Sequence, residues 1–212
     1  MMIKVKDTLG IISMIIFVIT LSIAVTIWFI PLYQITIQTQ NIPESLGLTY
    51  DKLMDNYYAL LQYLHFPWIQ ELNLPDFISS ENGLLHFYEV KLLFYLNYSV
   101  LLIAFVSTFF YLKFVKRTGR IWVLIKPFFF ASLIPPVLLF FLAVNFDSMF
   151  VSFHQIFFNN DAWIFNPATD PIINALPQDF FMYCFILFFI LIETSFILGY
   201  QISKRKAFKT SK

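Results

Sequence analysis

The chain has 212 residues, of which 59% are hydrophobic and 13% are charged, and its mean hydropathy is +0.73. Soluble domains average about 25% charged residues, so this composition excludes an ordinary soluble domain and predicts a polytopic membrane protein. The net charge of +1 gives no reason to expect a nucleic-acid partner, and the single cysteine, Cys184, excludes an internal disulfide, a paired-cysteine redox site and a cysteine-based zinc site.

Four apolar runs are long enough to cross the hydrocarbon core of a bilayer, which is about 30 Å thick. The first run is predicted to be a retained anchor helix, because bulky residues at its end replace the small residues of a signal-peptide cleavage site. The four predicted spans cover residues 9–32, 92–114, 127–146 and 180–202. Pro135 and Pro136 lie in the middle of the third span and predict a kink there.

The distribution of basic residues favours an orientation with both chain termini in the cytoplasm. With the N-terminus inside, only Lys52 and Lys91 fall on the outer side of the predicted spans. The other lysines and arginines fall on the inner side: Lys4, Lys6, Lys113, Lys116, Arg117, Arg120, Lys126, Lys204, Arg205, Lys206, Lys209 and Lys212. The two long connecting segments, residues 33–91 and 147–179, are therefore predicted to form an extracytoplasmic cap.

The first cap segment is predicted to contain one strand and two helices. Apolar and polar residues alternate from residue 33 to residue 39, which is typical of a half-exposed strand. An amphipathic helix is expected over residues 50–64, with Thr49 as its N-cap. Ser79 or Ser80 is expected to cap a further helix that continues into the second span.

The second cap segment includes residues 153–181, which are too polar to span a bilayer yet are rich in aromatic side chains. One helical face is expected to carry Phe150, Phe153, His154 and Phe157. Residues 161–165 are expected to be extended, and a short helix is expected to begin at Asp170-Pro171. The predicted fold is an all-α membrane protein with four transmembrane helices and a small mixed α/β extracytoplasmic cap, forming one membrane domain over residues 1–212.

Two histidines lie close to the predicted outer membrane boundary. His86 precedes the second span and His154 follows the third, so an up-and-down topology makes them potential neighbours. Spacing alone leaves open that both are interfacial side chains with no catalytic role. Glu89 shares a helical face with His86 and is expected to hold one of its ring nitrogens. If one substrate bridges both histidines, their rings should lie about 10 Å apart or closer.

The sequence contains neither an HExxH motif nor a GxSxG motif, and no serine or cysteine nucleophile stands next to a histidine. The histidines and carboxylates show no metal-ligand spacing, so neither a metal nor another cofactor is expected.

Two stretches, ISSENGLLHFYEVK and FHQIFFNNDAWIFNPATDPIINALPQDFF, carry a family resemblance. Together with four predicted spans and the chain length, they resemble the bacterial lipoprotein intramolecular transacylase family, Lit, over essentially the whole chain. The resemblance implies that His86 and His154 are catalytic. It also implies transfer of the sn-2 acyl chain of a diacylglyceryl lipoprotein to the α-amino group of its N-terminal cysteine, which gives a lyso-form lipoprotein.

Further residues are predicted to bind or orient the substrate: Glu89, Glu81, Phe153, Phe157, Asp161, Trp163, Asn166 and Asp170. The expected partners are diacylglyceryl-modified lipoproteins and membrane lipid, in a bacterial cell membrane with the active site at the outer leaflet. Two alternatives remain open at this point: another lipid-ester acyltransferase or phospholipase, and a non-catalytic membrane subunit or lipid-binding module.

Overall fold

The computed structural model of the chain describes residues 2–209, and within that range it is helical with no β-strand. Lys212, one of the basic residues predicted on the inner side, lies outside the described residues. The chain divides into two compact units. We call them the span unit, made of Met1–Trp28, Asn97–Val144 and Phe185–Lys212, and the histidine unit, made of Phe29–Leu96 and Asn145–Cys184.

Four helical stretches are long and apolar enough to cross a membrane. They are Lys4–Ile27, Glu81–Arg117, Ile121–Val144 and Gln178–Phe208. They belong to helix α1 (Met2–Ile27), α5 (Glu81–Arg117), a 3₁₀ turn (Ile121–Leu124) that leads into α6 (Ile125–Ala131) and α7 (Ile134–Val144), and α10 (Gln178–Lys209). The prediction of four helices long and apolar enough to cross a membrane is confirmed.

Prolines mark two interruptions in these helices. The third stretch breaks between α6 and α7, directly before Pro135 and Pro136, as their missing N–H groups and bulky rings predict. The predicted first span, residues 9–32, includes a second break: α1 ends at Ile27, and α2 (Ile30–Thr39) begins with Pro31 in its first turn.

Polar contacts join α1 to the neighbouring helices inside the span unit. The Arg120 guanidinium lies 2.6 Å from the Asp7 carboxylate, and the Tyr111 hydroxyl donates to the same carboxylate at 3.3 Å. Asn97 donates to the Thr20 carbonyl at 3.2 Å. Such interhelical hydrogen bonds stabilise contacts that apolar burial alone does not drive between membrane helices.

The histidine unit contains α2, α3 (Ile42–Ser45), α4 (Tyr50–His65), the first part of α5, α8 (Phe146–Phe157), α9 (Ile172–Ala175) and the first turns of α10. Tyr33 lies at the centre of its core, where its ring stacks on Tyr57 with centroids 3.7 Å apart. The Tyr33 hydroxyl donates to the Ala175 carbonyl at 3.0 Å, so its one polar atom is satisfied. Burial raises the pKa of Tyr33 above its usual range.

The prediction of a mixed α/β cap is wrong, because residues 33–39 form most of α2 rather than a strand. The buried positions are Tyr33, Thr36 and Ile37, a spacing of three and four residues, whereas Ile35 is 57% exposed. Thr36 and Thr39 donate to the carbonyls one turn earlier, which is compatible with helical backbone. Packing around Tyr33 thus overrides the alternating pattern.

In the histidine unit, two predicted helices are confirmed and one predicted extended segment is wrong. The amphipathic helix α4 is confirmed, with the Thr49 hydroxyl accepting from the Lys52 N–H. The short helix α9 after Pro171 is also confirmed. The prediction that residues 161–165 are extended is wrong: they form a turn, in which the Ile164 N–H donates to the Asp161 carbonyl at 3.1 Å.

Candidate active site

The first turns of α5 position His86. The Ser80 hydroxyl accepts from the Gly83 N–H at 3.0 Å, so of the two predicted candidates, Ser79 and Ser80, it is Ser80 that caps the helix. The Asp170 carboxylate holds this cap from the other side, because it accepts from the Ser80 N–H at 2.8 Å and from the Ser80 hydroxyl at 2.7 Å. Asp170 is only 3% exposed. The start of the helix that carries His86 is therefore fixed by a buried, fully engaged carboxylate.

Gly83 allows this close approach of Asp170 to α5. A Cβ atom at residue 83 would collide with the Asp170 carboxylate oxygen. Thr169 also donates its hydroxyl to Asp170, at 2.8 Å, so that carboxylate has little freedom to move away. We call the hydrogen bonds between Asp170 and Ser80 the latch; they join the segment before α9 to the start of α5. The absence of a side chain on Gly83 makes this close approach possible.

His154 lies in the last turn of α8 and meets His86 from α5. Their ring centroids are 5.7 Å apart with an interplanar angle of 35°, and each residue is only 8% exposed. The separation is well within the 10 Å expected for two rings that share one substrate. Two imidazoles from distant parts of the sequence therefore adjoin each other in a largely buried position.

Aromatic rings surround both histidines. Trp163 stacks on His154 with centroids 4.7 Å apart and an interplanar angle of 28°, and Phe150 lies 4.3 Å from the same ring. Phe158 and Phe165 meet His86 edge-on, at 4.7 and 5.4 Å. These contacts restrict the orientation of each imidazole and surround it with apolar surface.

A backbone carbonyl determines how the protons of His154 are arranged. The Nδ1 atom of His154 lies 2.7 Å from the Phe150 carbonyl, which can only accept a hydrogen bond, so Nδ1 carries a hydrogen. In the neutral ring the lone pair is then on Nε2. Burial lowers the pKa of His154, and the hydrogen bond to Phe150 partly offsets this. Near neutral pH the residue is therefore an uncharged imidazole with Nε2 available as a base.

Glu89 is held in a different way from the one predicted. Its Oε1 atom accepts from the Asn160 side-chain amide at 2.8 Å, and the Asn160 carbonyl oxygen accepts from the Ala162 N–H at 2.9 Å. Within residues 2–209, neither the Oε2 atom of Glu89 nor the Nδ1 atom of His86 has a hydrogen-bond partner, although both atoms are buried. The predicted hydrogen bond, in which Glu89 would accept from a ring nitrogen of His86, is thus not present at Nδ1, and Glu89 accepts from Asn160 instead.

The remaining predicted residues lie at different distances from the histidines. Phe153 meets His154 edge-on at 5.6 Å and contacts Phe157, which is half exposed. Asp161 is exposed and contributes its backbone carbonyl to the turn before Phe165.

A cavity of about 370 Å³ lies beside the latch formed by Ser80 and Asp170. Glu81 and Asn166 line it, together with Ser80, Asn82, Ile164, Phe165, Thr169 and Asp170. Phe165 lines this cavity, and its ring also contacts the His86 imidazole. The structure therefore groups Trp163 and Phe153 around the histidine pair, pairs Glu89 with Asn160, and places Glu81, Asn166 and Asp170 around the neighbouring cavity.

The residues predicted to form the site do not include Asn160 or Phe158, although both lie in the polar and aromatic segment in which the site is predicted. Asn160 connects α5 to the turn that carries Trp163, and Phe158 contacts both imidazoles. Asn159 and Asn160 are equivalent in a sequence pattern, and Phe158 is one of many aromatic residues in its segment. Only the packing distinguishes them.

The fold and the site together define a class: a multi-pass membrane protein with two adjoining, buried histidines in a candidate acid–base site. The sequence model of one family, described as lipoprotein intramolecular transacylase Lit, matches residues 8–181. The chain belongs to this family, and its membership supports acyltransferase activity at the level of the family.

Solved structures of a relative agree with this assignment. The chain is similar to the in meso structure of the membrane integral lipoprotein intramolecular transacylase Lit from Bacillus cereus, with 27% identity and a TM-score of 0.94, covering 99% of this chain and 98% of that one. Two structures of the Bacillus cereus protein with a histidine replaced also match, at TM-scores of 0.86 for the alanine variant and 0.85 for the arginine variant. Each has 27% identity and covers 99% of this chain, and 96% and 94% of its own chain respectively. A comparison with curated protein sequences returned no match.

Proposed function

We propose that this protein transfers the sn-2 acyl chain of a diacylglyceryl lipoprotein to the α-amino group of its N-terminal cysteine, with His86 and His154 as the acid–base pair. The observation that carries the proposal is the contact of the two buried imidazoles, whose ring centroids are 5.7 Å apart, in a member of the Lit family. The description of the family names a lipoprotein, and in the proposed substrate the diacylglyceryl group contains the ester and the N-terminal cysteine contains the amine.

The reaction needs no nucleophile from the protein. The α-amine attacks the ester carbonyl, a carbon–nitrogen bond forms, and the bond between the carbonyl carbon and the glycerol oxygen breaks. The nitrogen loses one proton and the glycerol oxygen gains one, so the products are an amide and a free hydroxyl. The protein has to hold the two groups together and move one proton from nitrogen to oxygen.

The two histidines are suited to this proton transfer. Neutral His154, with Nδ1 bonded to the Phe150 carbonyl, has a lone pair on Nε2 for the proton of the attacking amine. Either imidazole, once protonated, can donate to the departing glycerol oxygen. An α-amine has an ordinary pKa of about 7.7–8.0, so about a tenth of it is already uncharged at pH 7.

Confinement of the substrate is expected to contribute more than proton transfer. Positioned acid–base groups accelerate reactions by about 10²–10⁴-fold, whereas well-oriented intramolecular groups reach effective molarities of about 10⁵–10⁸ M. The rings of Trp163, Phe158 and Phe165 around the histidines provide walls that would fold a flexible lipid so that its amine meets its ester.

We further propose that the reaction takes place at the outer leaflet of a bacterial cell membrane and that both chain termini are cytoplasmic. The basic residues outside the spans support this orientation. Within α5, His86 lies in the second turn, while Lys116 and Arg117 end the helix about 45 Å further along its axis. That distance exceeds the thickness of the hydrocarbon core, so these two ends of one helix belong at opposite faces.

A crossover experiment tests this proposal. Purified protein would receive two synthetic diacylglyceryl lipopeptides together. One has an isotope-labelled sn-2 acyl chain and an unlabelled peptide, and the other has an unlabelled acyl chain and an isotope-labelled peptide. Intramolecular transfer predicts N-acylated lyso products without label exchange, identified by mass spectrometry. Mixed labels would indicate an acyltransferase that uses a separate acceptor. Free fatty acid would indicate a phospholipase, and unchanged peptides would indicate a non-catalytic protein; all three results contradict the proposal.

A further inference from the structure

Two residues one helical turn apart on α5 each have a buried polar side-chain atom: Oε2 of Glu89 and Nδ1 of His86. Among the residues that the structure describes, neither atom has a hydrogen-bond partner. Because the two residues are three positions apart on one helix, their side chains lie on the same face. Both atoms can accept a hydrogen bond: Oε2 does so as part of a carboxylate, and Nδ1 does so in the neutral tautomer whose hydrogen is on Nε2.

Such a pair calls for a physical explanation. The great majority of buried polar side-chain atoms in proteins have a partner, and leaving a buried carboxylate oxygen without one is costly. Glu89 is not free to turn toward solvent, because Asn160 binds its other oxygen and Asn160 is itself fixed by the Ala162 N–H. Asn160 thus holds the Glu89 carboxylate by Oε1, while Oε2 stays buried and without a partner among the described residues.

We infer that Glu89 and His86 form the receptor for the positively charged α-amino group of the substrate, with Glu89 Oε2 and His86 Nδ1 each accepting one of its N–H groups. This inference rests on the proposed function, which requires such an amine beside the histidines. A primary ammonium group offers three donors and one positive charge, which matches a carboxylate oxygen and a ring nitrogen on one face. Glu89 is then a substrate-binding residue that distinguishes a free amine from an acylated one.

The charge on Glu89 has two consequences for the reaction. Before transfer, the carboxylate attracts the ammonium and holds it against the imidazole that faces the same substrate. After transfer, the nitrogen belongs to an uncharged amide with one N–H, so the interaction with Glu89 is weakened. The same residue therefore favours binding of the substrate and release of the product, and it disfavours lipoproteins whose amine is already acylated.

Binding of unreactive analogues tests this inference. A lipopeptide with two ether-linked chains cannot transfer an acyl group, and it can be prepared with a free or an N-acetylated α-amine. Both forms would be bound to the full-length protein in phospholipid vesicles at pH 7. Wild type is expected to bind the free amine about ten- to a hundredfold more tightly, as a charge-assisted hydrogen bond predicts. Glu89→Gln, which keeps an oxygen for Asn160, should bind the two forms within about twofold.

The matched control is Glu71→Gln, the same chemical change at an exposed glutamate in the same unit. It should retain the wild-type preference. The preference should also decrease in wild type as the pH rises above about 8, where the amine loses its charge, and should stay flat in Glu89→Gln. If Glu89 only held Asn160, the preference for the free amine would depend on pH in Glu89→Gln as it does in wild type.

Two measurements, conversion of the ester lipopeptide and preference for the free amine, test the proposed function and the ammonium receptor separately. Conversion of the corresponding ester lipopeptide by wild type, combined with a preference for the free amine that survives Glu89→Gln, would overturn the ammonium receptor alone. Failure of wild type to convert the ester lipopeptide would overturn the proposed function, on which the receptor depends. Conversion together with loss of the preference in Glu89→Gln but not in Glu71→Gln is the result expected.

Discussion

The indole of Trp163 stacks on the imidazole of His154, with ring centroids 4.7 Å apart and planes 28° from parallel. The turn that presents Trp163 begins at Asn160, which is bonded to Glu89 on α5. A chain of contacts thus runs from the helix of one histidine to the ring that covers the other. The two imidazoles are oriented by shared structure, rather than each by its own helix alone.

Trp163 is expected to contribute by orienting His154. Replacing it with alanine should lower kcat by about tenfold, because stacked aromatic pairs contribute about 0.5–1.5 kcal/mol beyond their buried area. Trp163→Phe keeps a ring and should recover most of the rate. The measurement is kcat and KM for a synthetic lipopeptide ester. Trp68→Ala, which removes an equivalent side chain that is 72% exposed and stacked on Phe66, provides the control. An unchanged kcat in Trp163→Ala would contradict the orienting role.

Asp170 is expected to stabilise the start of α5. Asp170→Asn removes the charge that accepts from Ser80 and Thr169 and leaves a buried amide with mismatched donors. The free energy of unfolding should fall by about 1–3 kcal/mol, the usual cost of disrupting a buried hydrogen-bonded group. Thermal unfolding monitored in detergent measures the effect. Asp55→Asn, at an exposed carboxylate on α4, should change the unfolding temperature little. Equal decreases in unfolding temperature for the two substitutions would contradict a specific contribution of the latch to stability.

The buried state of His154 predicts a dependence of stability on pH. Burial lowers the pKa of His154 in the folded protein, while the unfolded chain has the ordinary value of about 6.5. Between these two values the unfolded state binds more protons, so the contribution of His154 to stability is complete above about pH 6.5 and decreases as the pH falls toward the folded value. Unfolding temperatures measured from pH 8 to pH 5 should show this decrease.

Substitution of His154 provides the control for that pH series. His154→Gln cannot titrate, so the decrease below pH 6.5 should be smaller in this variant than in wild type. An identical slope in both proteins would assign the pH dependence to other groups. A slope of opposite sign, with stability rising on acidification, would contradict the burial of a neutral imidazole.

The sequence was sufficient to predict the elements in which one local signal dominates. Four long apolar runs identify the membrane-crossing helices, Thr49 and Ser80 mark helix starts, and Pro135 marks a break. The proposed meeting of His86 and His154 followed from topology and from the family resemblance, and the 5.7 Å contact agrees with it.

The wrong predictions share a physical cause, which is that tertiary contacts decided between two local options. Residues 33–39 alternate as a strand would, but the burial of Tyr33, Thr36 and Ile37 selects a helix. Glu89 stands one turn from His86, yet its Oε1 atom accepts from the Asn160 amide, and neither its Oε2 atom nor His86 Nδ1 has a hydrogen-bond partner within residues 2–209. No spacing rule within α5 could have indicated the contact with Asn160.

The most direct test of the histidine pair is the rate at which purified wild type, His86→Gln and His154→Gln convert a synthetic diacylglyceryl lipopeptide to its N-acyl lyso form, followed by mass spectrometry. Glutamine keeps much of the shape and polarity of the ring but cannot exchange a proton at neutral pH. Each variant is expected to insert and fold, and to lose at least about a hundredfold in rate, the lower range for a positioned acid or base. A variant with a rate close to that of wild type would remove its histidine from the mechanism and contradict the acid–base pair.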